Sequence, residues 1–183
     1  MTATPFTTAE KTTWAVDPSH TDVTFTVRHL MISKVRGAFG AFTGTITTGV
    51  SLEDTKVEGS IDVTSITTND ENRDAHLRSA DFFDTENHPS IQFESTGITA
   101  KKNGNYELVG DLTIKGNTKP VLLDVEFNGT VTDSYGQVKL AASAETAISR
   151  SEFGLVWNGT LETGGVVVSD EVKIQLEVQL IKQ

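Results

Sequence analysis

Alternation of apolar and polar positions dominates this chain. In TDVTFTVRH (21–29), Val23, Phe25 and Val27 fall on one face, and Thr24, Thr26 and Arg28 on the other. VEGSIDV puts Val57, Ile61 and Val63 together, and IQFES does so for Ile91 and Phe93. YELVGDLTI aligns Tyr106, Leu108, Leu112 and Ile114 around Gly110, and VLLDVEF aligns Val121, Leu123, Val125 and Phe127. VKLAASAETAI gives Val138, Leu140, Ala142 and Ala144; VKIQLEVQL gives Val172, Ile174, Leu176, Val178 and Leu180. Successive strand residues point to opposite faces, so this pattern predicts antiparallel strands with one face buried and one wet. With FGAFTGTIT (39–47) the count is about eight, which suits a closed barrel or a two-sheet sandwich.

The turn signals agree. Asn-Gly steps at 103–104, 128–129 and 158–159 mark turns, because Asn and Gly tolerate positive φ; the first predicts a hairpin between ITAKK and YELVG. The exception to the strand pattern is NRDAHLRSADFFD (72–84). TNDE (68–71) before it reads as a capping box, Thr68 capping and Glu71 reaching back. Asp74 and Arg78 are spaced for an i,i+4 pair. The apolar face is thin, and Pro89 blocks continuation. This predicts one short helix inside a long crossover, pinned by Phe82 and Phe83 and placed to cover one barrel end.

Composition narrows the chemistry. The chain has 183 residues, enough for one domain with a substantial core. It has no cysteine, which excludes disulfides and thiolate chemistry. A formal charge of −10 disfavours nucleic acid as a partner. No apolar run approaches a membrane span, so no stable membrane insertion is expected. The N-terminus lacks the basic start and apolar run of a secretory signal, and the chain is expected to be soluble and cytoplasmic. Residues 1–11 are expected to form a flexible tail, with the folded domain over 12–183.

The ionisable candidates are Asp17, His20, His29, Arg73, Asp74, His76, His88 and Arg150; none sits in a recognisable catalytic or phosphate-binding motif. The four histidines are far apart in sequence, so no metal site is expected. Arg73 and Arg150 are expected in ion pairs with Asp17 or Asp74. Nine Phe against two Tyr gives aromatic surface without hydroxyls, suited to core or to an apolar guest.

These residues carry a family resemblance. WAVDPSHTDVTFTVRHLMISKVRGAFGAFTGTI resembles the opening signature of the YceI-like family of lipocalin-like polyisoprenoid-binding proteins, through Trp14, Asp17, His20, His29, Gly37 and Phe39. Thr21 stands for the usual Ser and keeps the hydroxyl. SITTNDENRDAHLRSADFFDTENHPSIQFES, GDLTIKGNTKPVLLDVEF and SRSEFGLVWN resemble three further signatures, in order. The likeness runs from Trp14 to the C-terminus.

The resemblance implies an extended eight-stranded antiparallel lipocalin-like β-barrel with one short helix capping one end. It further implies an apolar lumen for a polyisoprenoid or similar long-chain lipid, and the expected guest is a long-chain isoprenoid lipid, polyprenyl or quinone-type. The expected lumen is Val23, Phe25, Val27, Phe39, Phe42, Phe82, Phe83, Phe93, Leu112, Leu123 and Phe153. The helix would be a lid locked by Arg73, Asp74 and His76 together with Asp17, His20 and Arg150. Arg28, Lys34 and Arg36, with His29 nearby, form the one locally basic stretch and are candidates for a headgroup.

The expected function is non-enzymatic binding, transport or storage of that lipid, without a cofactor, as a monomer or homodimer. Two rivals stand beside it. One is an enzyme using a rim histidine as general base. The other is a stress or regulatory binding partner without a ligand.

Overall fold

The alternating segments become strands of one sheet in the computed structural model, which describes residues 6–183. They are β1 (Thr12–Val16), β2 (Asp22–His29), β3 (Ser33–Phe39), β4 (Phe42–Thr48), β5 (Lys56–Asp62), β6 (Ile66–Thr67), β7 (Ser90–Ala100), β8 (Tyr106–Ile114), β9 (Asn117–Thr132), β10 (Val138–Ser149) and β11 (Val168–Lys182). One α-helix, α1 (Glu71–Arg78), lies in the crossover before β7. Segments β1 and β2 are one strand with a bend, as are β3 and β4, and β5 and β6. The result is an eight-stranded antiparallel barrel.

Each bend has a local cause. Between β1 and β2, Asp17 caps the 3-10 turn Pro18–His20 by accepting from the Ser19 amide, and Pro18 has no N–H to give to a ladder. Asp62 does the same for the turn Val63–Ser65 by accepting from Thr64. Gly40 and Ala41 break FGAFTGTIT into two segments, with the Gly40 amide donating to Ser65 C=O at 3.3 Å.

The barrel closes where β11 meets the bent first strand. Ile174 pairs with Phe25 and Leu176 with Val23, then Leu180 with Val16 and Lys182 with Trp14. All other ladders join strands that follow each other along the chain. The longest strand, β9, has 16 residues and spans about 50 Å along its path.

The Asn128–Gly129 step is not a turn. It lies inside β9 as a bulge, where the register against β10 shifts between Ala141 and Ala142. Gly129 takes a φ of 140°, and Asn128 donates through its side-chain Nδ2 to Ser143 Oγ at 2.7 Å. The same permissive backbone that suits a turn here absorbs one extra residue. The β9–β10 turn falls instead at Asp133–Gly136, held by Asp133 Oδ1, which accepts from the Tyr135 and Gln137 amides.

The expected tail is shorter than residues 1–11. Phe6 is buried and meets Tyr106 edge-on at 4.8 Å between centroids and Phe127 at 5.9 Å. Thr55 Oγ1 donates to Phe6 C=O, and the Thr8 amide to Gly49 C=O. An aromatic side chain next to an open apolar barrel end removes more surface from water there than in a free tail. Residues 1–5 lie outside the described residues.

Buried residues form two clusters, one toward each end. The first holds Phe6, Trp14, Tyr106, Leu123, Leu140 and Leu180 among others. The second, on the helix side, holds Val23, Phe39, Val63, Ile66, Leu112 and Phe153 among others.

Candidate functional site

A cavity of about 740 Å³ runs between the two clusters, lined from Phe6 at one end to His76 and Trp157 at the other. That is within the range of about 300–1,000 Å³ usual for small-molecule sites. Its wall is made by the inward faces of the strands. Val23, Phe25, Val27, Phe39, Phe42, Phe93, Leu112 and Leu123 line it, and so do Phe82 and Phe83 from the crossover. Phe153 does not: it is 1% exposed and packed inside the second cluster. Its 3-10 turn, Arg150–Phe153, ends in a left-handed Gly154 that folds the chain back and seals the ring in protein. Sequence reading missed Ile46, Val57, Ile98, Leu108, Val125, Leu176 and Val178 as lining. Several were recognised as core faces, and alternation alone does not distinguish a packed core from the wall of a cavity.

Two glycines shape the wall. A β-carbon at Gly37 would meet the Phe25 ring at 2.2 Å, and one at Gly110 would meet the Phe93 ring at 2.4 Å. Each ring therefore lies along the wall, over a glycine of the neighbouring strand, rather than across the lumen.

The helix closes the mouth on polar anchors that differ from those expected. The N-cap is Asp70, which accepts from the Arg73 amide at 2.9 Å, and not Thr68. Asn69 takes a left-handed φ of 61°, and Thr68 turns to Asp74 instead. Asp74 Oδ1 accepts from the Thr68 amide at 2.8 Å and its hydroxyl at 2.5 Å. Arg73 donates to the Thr68 hydroxyl through Nε at 2.7 Å and to its carbonyl through Nη2 at 2.9 Å. Thr68 is thus the hub that ties α1 to the end of β6. Burial works against the Asp74 carboxylate, yet the Thr68 bonds, with Thr67 and Arg78 beyond them, outweigh it and hold its pKa below the usual range. Arg78 makes no direct ion pair with Asp74 among the described residues. It donates to Thr64 C=O at 2.8 Å and Ile66 C=O at 2.6 Å, two acceptors that the bend after β5 leaves within its reach.

His76 faces the mouth. Its ring is 2.9 Å from Asp81 Oδ2 and edge-on to Phe82 and to Trp157, at 5.0 and 4.8 Å between centroids. Trp157 belongs to the loop between Gly154 and β11, and Arg150 holds that loop. Arg150 is buried; it donates to Leu155 C=O at 2.6 Å, Trp157 C=O at 2.8 Å and Ser169 C=O at 2.9 Å. The expected ion pair of Arg150 with Asp17 or Asp74 is absent among the described residues, because these carbonyls take the guanidinium fork instead. Burial lowers the Arg150 pKa, and Asp170 nearby partly offsets that.

The predicted single rim cluster therefore splits. Arg73, His76 and Arg150 line the mouth, His76 and Arg150 meeting at Trp157, while Arg73 and Asp74 share Thr68. Asp17 and His20 bond neither to α1 nor to Arg150. They brace the bend of the first strand: Asp17 accepts from Ser19 Oγ at 2.6 Å and from Gln179 Nε2 at 3.1 Å, with the His20 ring at 2.8 Å. Those bonds, the Ser19 hydroxyl first and the His20 ring next, hold the Asp17 carboxylate far below its ordinary range. The Thr21 hydroxyl, in the place of Ser, accepts from the Gln179 amide at 3.0 Å. His29 lines the cavity, whereas Arg28, Lys34 and Arg36 point away from it, exposed on the outer face of β2 and β3. Among the described residues, no three His, Asp or Glu side chains are grouped to hold a metal, and no helix is long and apolar enough to cross a membrane.

The model of a family described as "YceI-like domain" matches residues 14–180. A UPF0312 protein of Staphylococcus aureus (strain N315) is 36% identical over 170 residues, covering 92% of this chain and 96% of its own. One from Staphylococcus epidermidis (strain RP62A) is 38% identical over 165 residues, covering 89% and 94%. Among solved structures, the Campylobacter jejuni YCEI protein superposes with a TM-score of 0.71 at 27% identity, covering 85% of this chain and 90% of its own. A polyisoprenoid-binding domain from Saccharophagus degradans does so with a TM-score of 0.65 at 13% identity, covering 93% and 98%, which is a likeness of fold.

Proposed function

The chain belongs to the YceI-like family, and from that premise we propose that it takes one long-chain isoprenoid lipid, polyprenyl or quinone-type, into its barrel without chemical change. The observation that carries this reading is the continuous apolar cavity between Phe6 and Trp157. Its wall is drawn from strands all round the barrel and is built mainly of aliphatic and phenyl groups, which suits a hydrocarbon guest rather than a compact polar metabolite. Burying one five-carbon isoprene unit is worth about 3–4 kcal/mol before ordering costs. An exposed ion pair at the mouth adds about 0–1 kcal/mol. Chain burial therefore dominates affinity, and headgroup selectivity is loose. The polar groups at the mouth are committed to structural bonds, His76 with Asp81 and Arg150 with backbone carbonyls, which supports binding over catalysis.

Native mass spectrometry of freshly purified protein, followed by organic extraction, tests this reading. The expected result is a one-to-one complex with a long-chain lipid, or uptake of added polyprenol or quinone by apo protein. An apo mass that no such lipid shifts would overturn it.

A further inference from the structure

The mouth of the barrel carries a surface that the cavity does not use. The tip between β2 and β3 is Leu30-Met31-Ile32, and Ile32 is 84% exposed and Met31 55%. Val156 and Val166, in the loop beside it, are also exposed. Leu30 and Met31 both hold positive φ, 51° and 59°, with the Ile32 amide closing the turn on His29 C=O at 3.2 Å. Positive φ is ordinarily left to Gly or Asn, and it is costly for larger side chains. Here two consecutive bulky apolar residues adopt it, and the tip presents its side chains to solvent.

The charge around the tip runs against that of the whole protein. No Asp or Glu occurs between Asp22 and Glu53 in a chain with 25 acidic residues. Within that stretch Arg28 and Lys34 are cross-strand partners, and Arg36 follows on the same outer face. Among the described residues, none of the three has an ion pair or a side-chain hydrogen bond. Asp170 is engaged with Ser149 and Ser151, and Asp70 with Arg73, which leaves Glu171, in the β11 bulge beside Arg28, as the exposed acid on the adjoining strand. The tip is also joined to the cavity mouth, since the Leu30 amide donates to Val167 C=O at 2.8 Å and His29 and Val167 line the cavity.

We propose that the β2–β3 tip is a docking surface for an anionic lipid bilayer: Met31 and Ile32 enter the headgroup boundary while Arg28, Lys34 and Arg36 meet its negative charge. Apolar insertion beside unpaired cations is the chemistry such a surface recognises. Docking there brings the cavity mouth against the bilayer, so a chain could pass between membrane and lumen without crossing water. The inference rests on the lipid-binding reading for its purpose, but it can be measured separately.

Co-sedimentation with vesicles of phosphatidylglycerol and phosphatidylcholine tests it, with phosphatidylcholine alone as the control. The expected result is partition onto the anionic vesicles only, weakening as salt rises. Lys34→Ala with Arg36→Ala lowers that partition on the order of twentyfold. Ile32→Ser lowers it as well, at unchanged salt dependence. All these positions are exposed, so the fold is retained, checked by circular dichroism and by uptake of polyprenol delivered from detergent. Absence of sedimentation, equal binding to neutral vesicles, or indifference to both variants would overturn the docking surface. A dimer in solution that Ile32→Ser dissolves would overturn it in favour of a second copy on the tip. Uptake from detergent without vesicle binding sinks the docking surface and leaves the carrier reading standing. Vesicle binding without uptake supports the docking surface and sinks the carrier reading.

Discussion

The ring of Phe25 rests against Gly37, its cross-strand partner, at a distance that leaves no room for a β-carbon. An aromatic side chain on the lumen face can lie flat on the wall or project into the space, and the missing side chain at 37 selects the first. The width of the cavity is therefore set in part by a residue that contributes no side chain to it.

Gly37→Val should convert wall into obstruction. The conflict is with the far end of the Phe25 ring, so the ring swings into the lumen and the backbone survives. Stability should fall by about 1–3 kcal/mol in chemical denaturation, and lipid uptake should fall much further. Phe25→Ala in the same chain should restore uptake. Retained uptake in the single variant would refute this view of the wall.

Leu112→Arg tests the lumen itself. Leu112 is buried where the wall meets the second cluster. A guanidinium there must leave water or reach for the mouth, and an apolar guest cannot share the space with it. Uptake should be lost in a variant that keeps its far-ultraviolet circular dichroism; a folded variant that still binds lipid would exclude this wall as the site.

Arg150 should be a stability residue that does not tolerate lysine. Its fork serves the carbonyls of Leu155, Trp157 and Ser169 at once. Arg150→Lys supplies one ammonium to acceptors arranged for a planar group, and Arg150→Met supplies none. Urea denaturation should show a loss of about 2–4 kcal/mol for Arg150→Met, with Arg150→Lys recovering less than half of it. Recovery to wild-type stability by Lys would mean that charge, and not the fork, is what matters there.

Acid should loosen the fold through specific carboxylates. Asp17, Asp74 and Asp170 all have folded-state pKa values lowered below the ordinary aspartate value. A depressed folded pKa contributes stability that is complete above the unfolded value, about 4, and is lost as pH falls below it toward the folded one. Thermal melts should be flat near neutrality and drop below about pH 4. Asp17→Asn should be less stable than wild type at pH 7, with the gap closing as the pH is lowered. A gap independent of pH would remove Asp17 from this account.

The strands were legible because burial on one face writes itself into alternate residues, as in Val172 to Leu180. The closed barrel was less so: alternation fits a sandwich equally well, and closure depends on β11 meeting Trp14 from the far end of the chain. Local polar chemistry was the hardest to read. Thr68 has the spacing of a cap for Glu71, but a left-handed Asn69 redirects it to Asp74. Asn128–Gly129 has the composition of a turn, but the β10 ladder, which resumes past the bulge, holds it within β9. Arg150 looked like half of an ion pair because sequence shows charges and hides carbonyls. For Asn128–Gly129 and for Arg150 the deciding partners are backbone groups, and for Thr68 the Asp74 carboxylate, whose positions exist only after folding.

The antiparallel ring has a kinetic consequence. Seven of its eight seams join strands that are neighbours in sequence, and only the seam of β11 with β1 and β2 joins the two ends. Neighbouring hairpins can form early at little loop-closure cost, whereas that last seam waits on the longest loop in the molecule. Until it forms there is an open, curved sheet with an apolar concave face and no enclosed space at all. On the proposed lipid-binding reading, guest binding would be coupled to ring closure: a hydrocarbon chain lying in the trough would favour the zipping of residues 172–182 onto 14–27, and the complex should open along that same line when it comes apart.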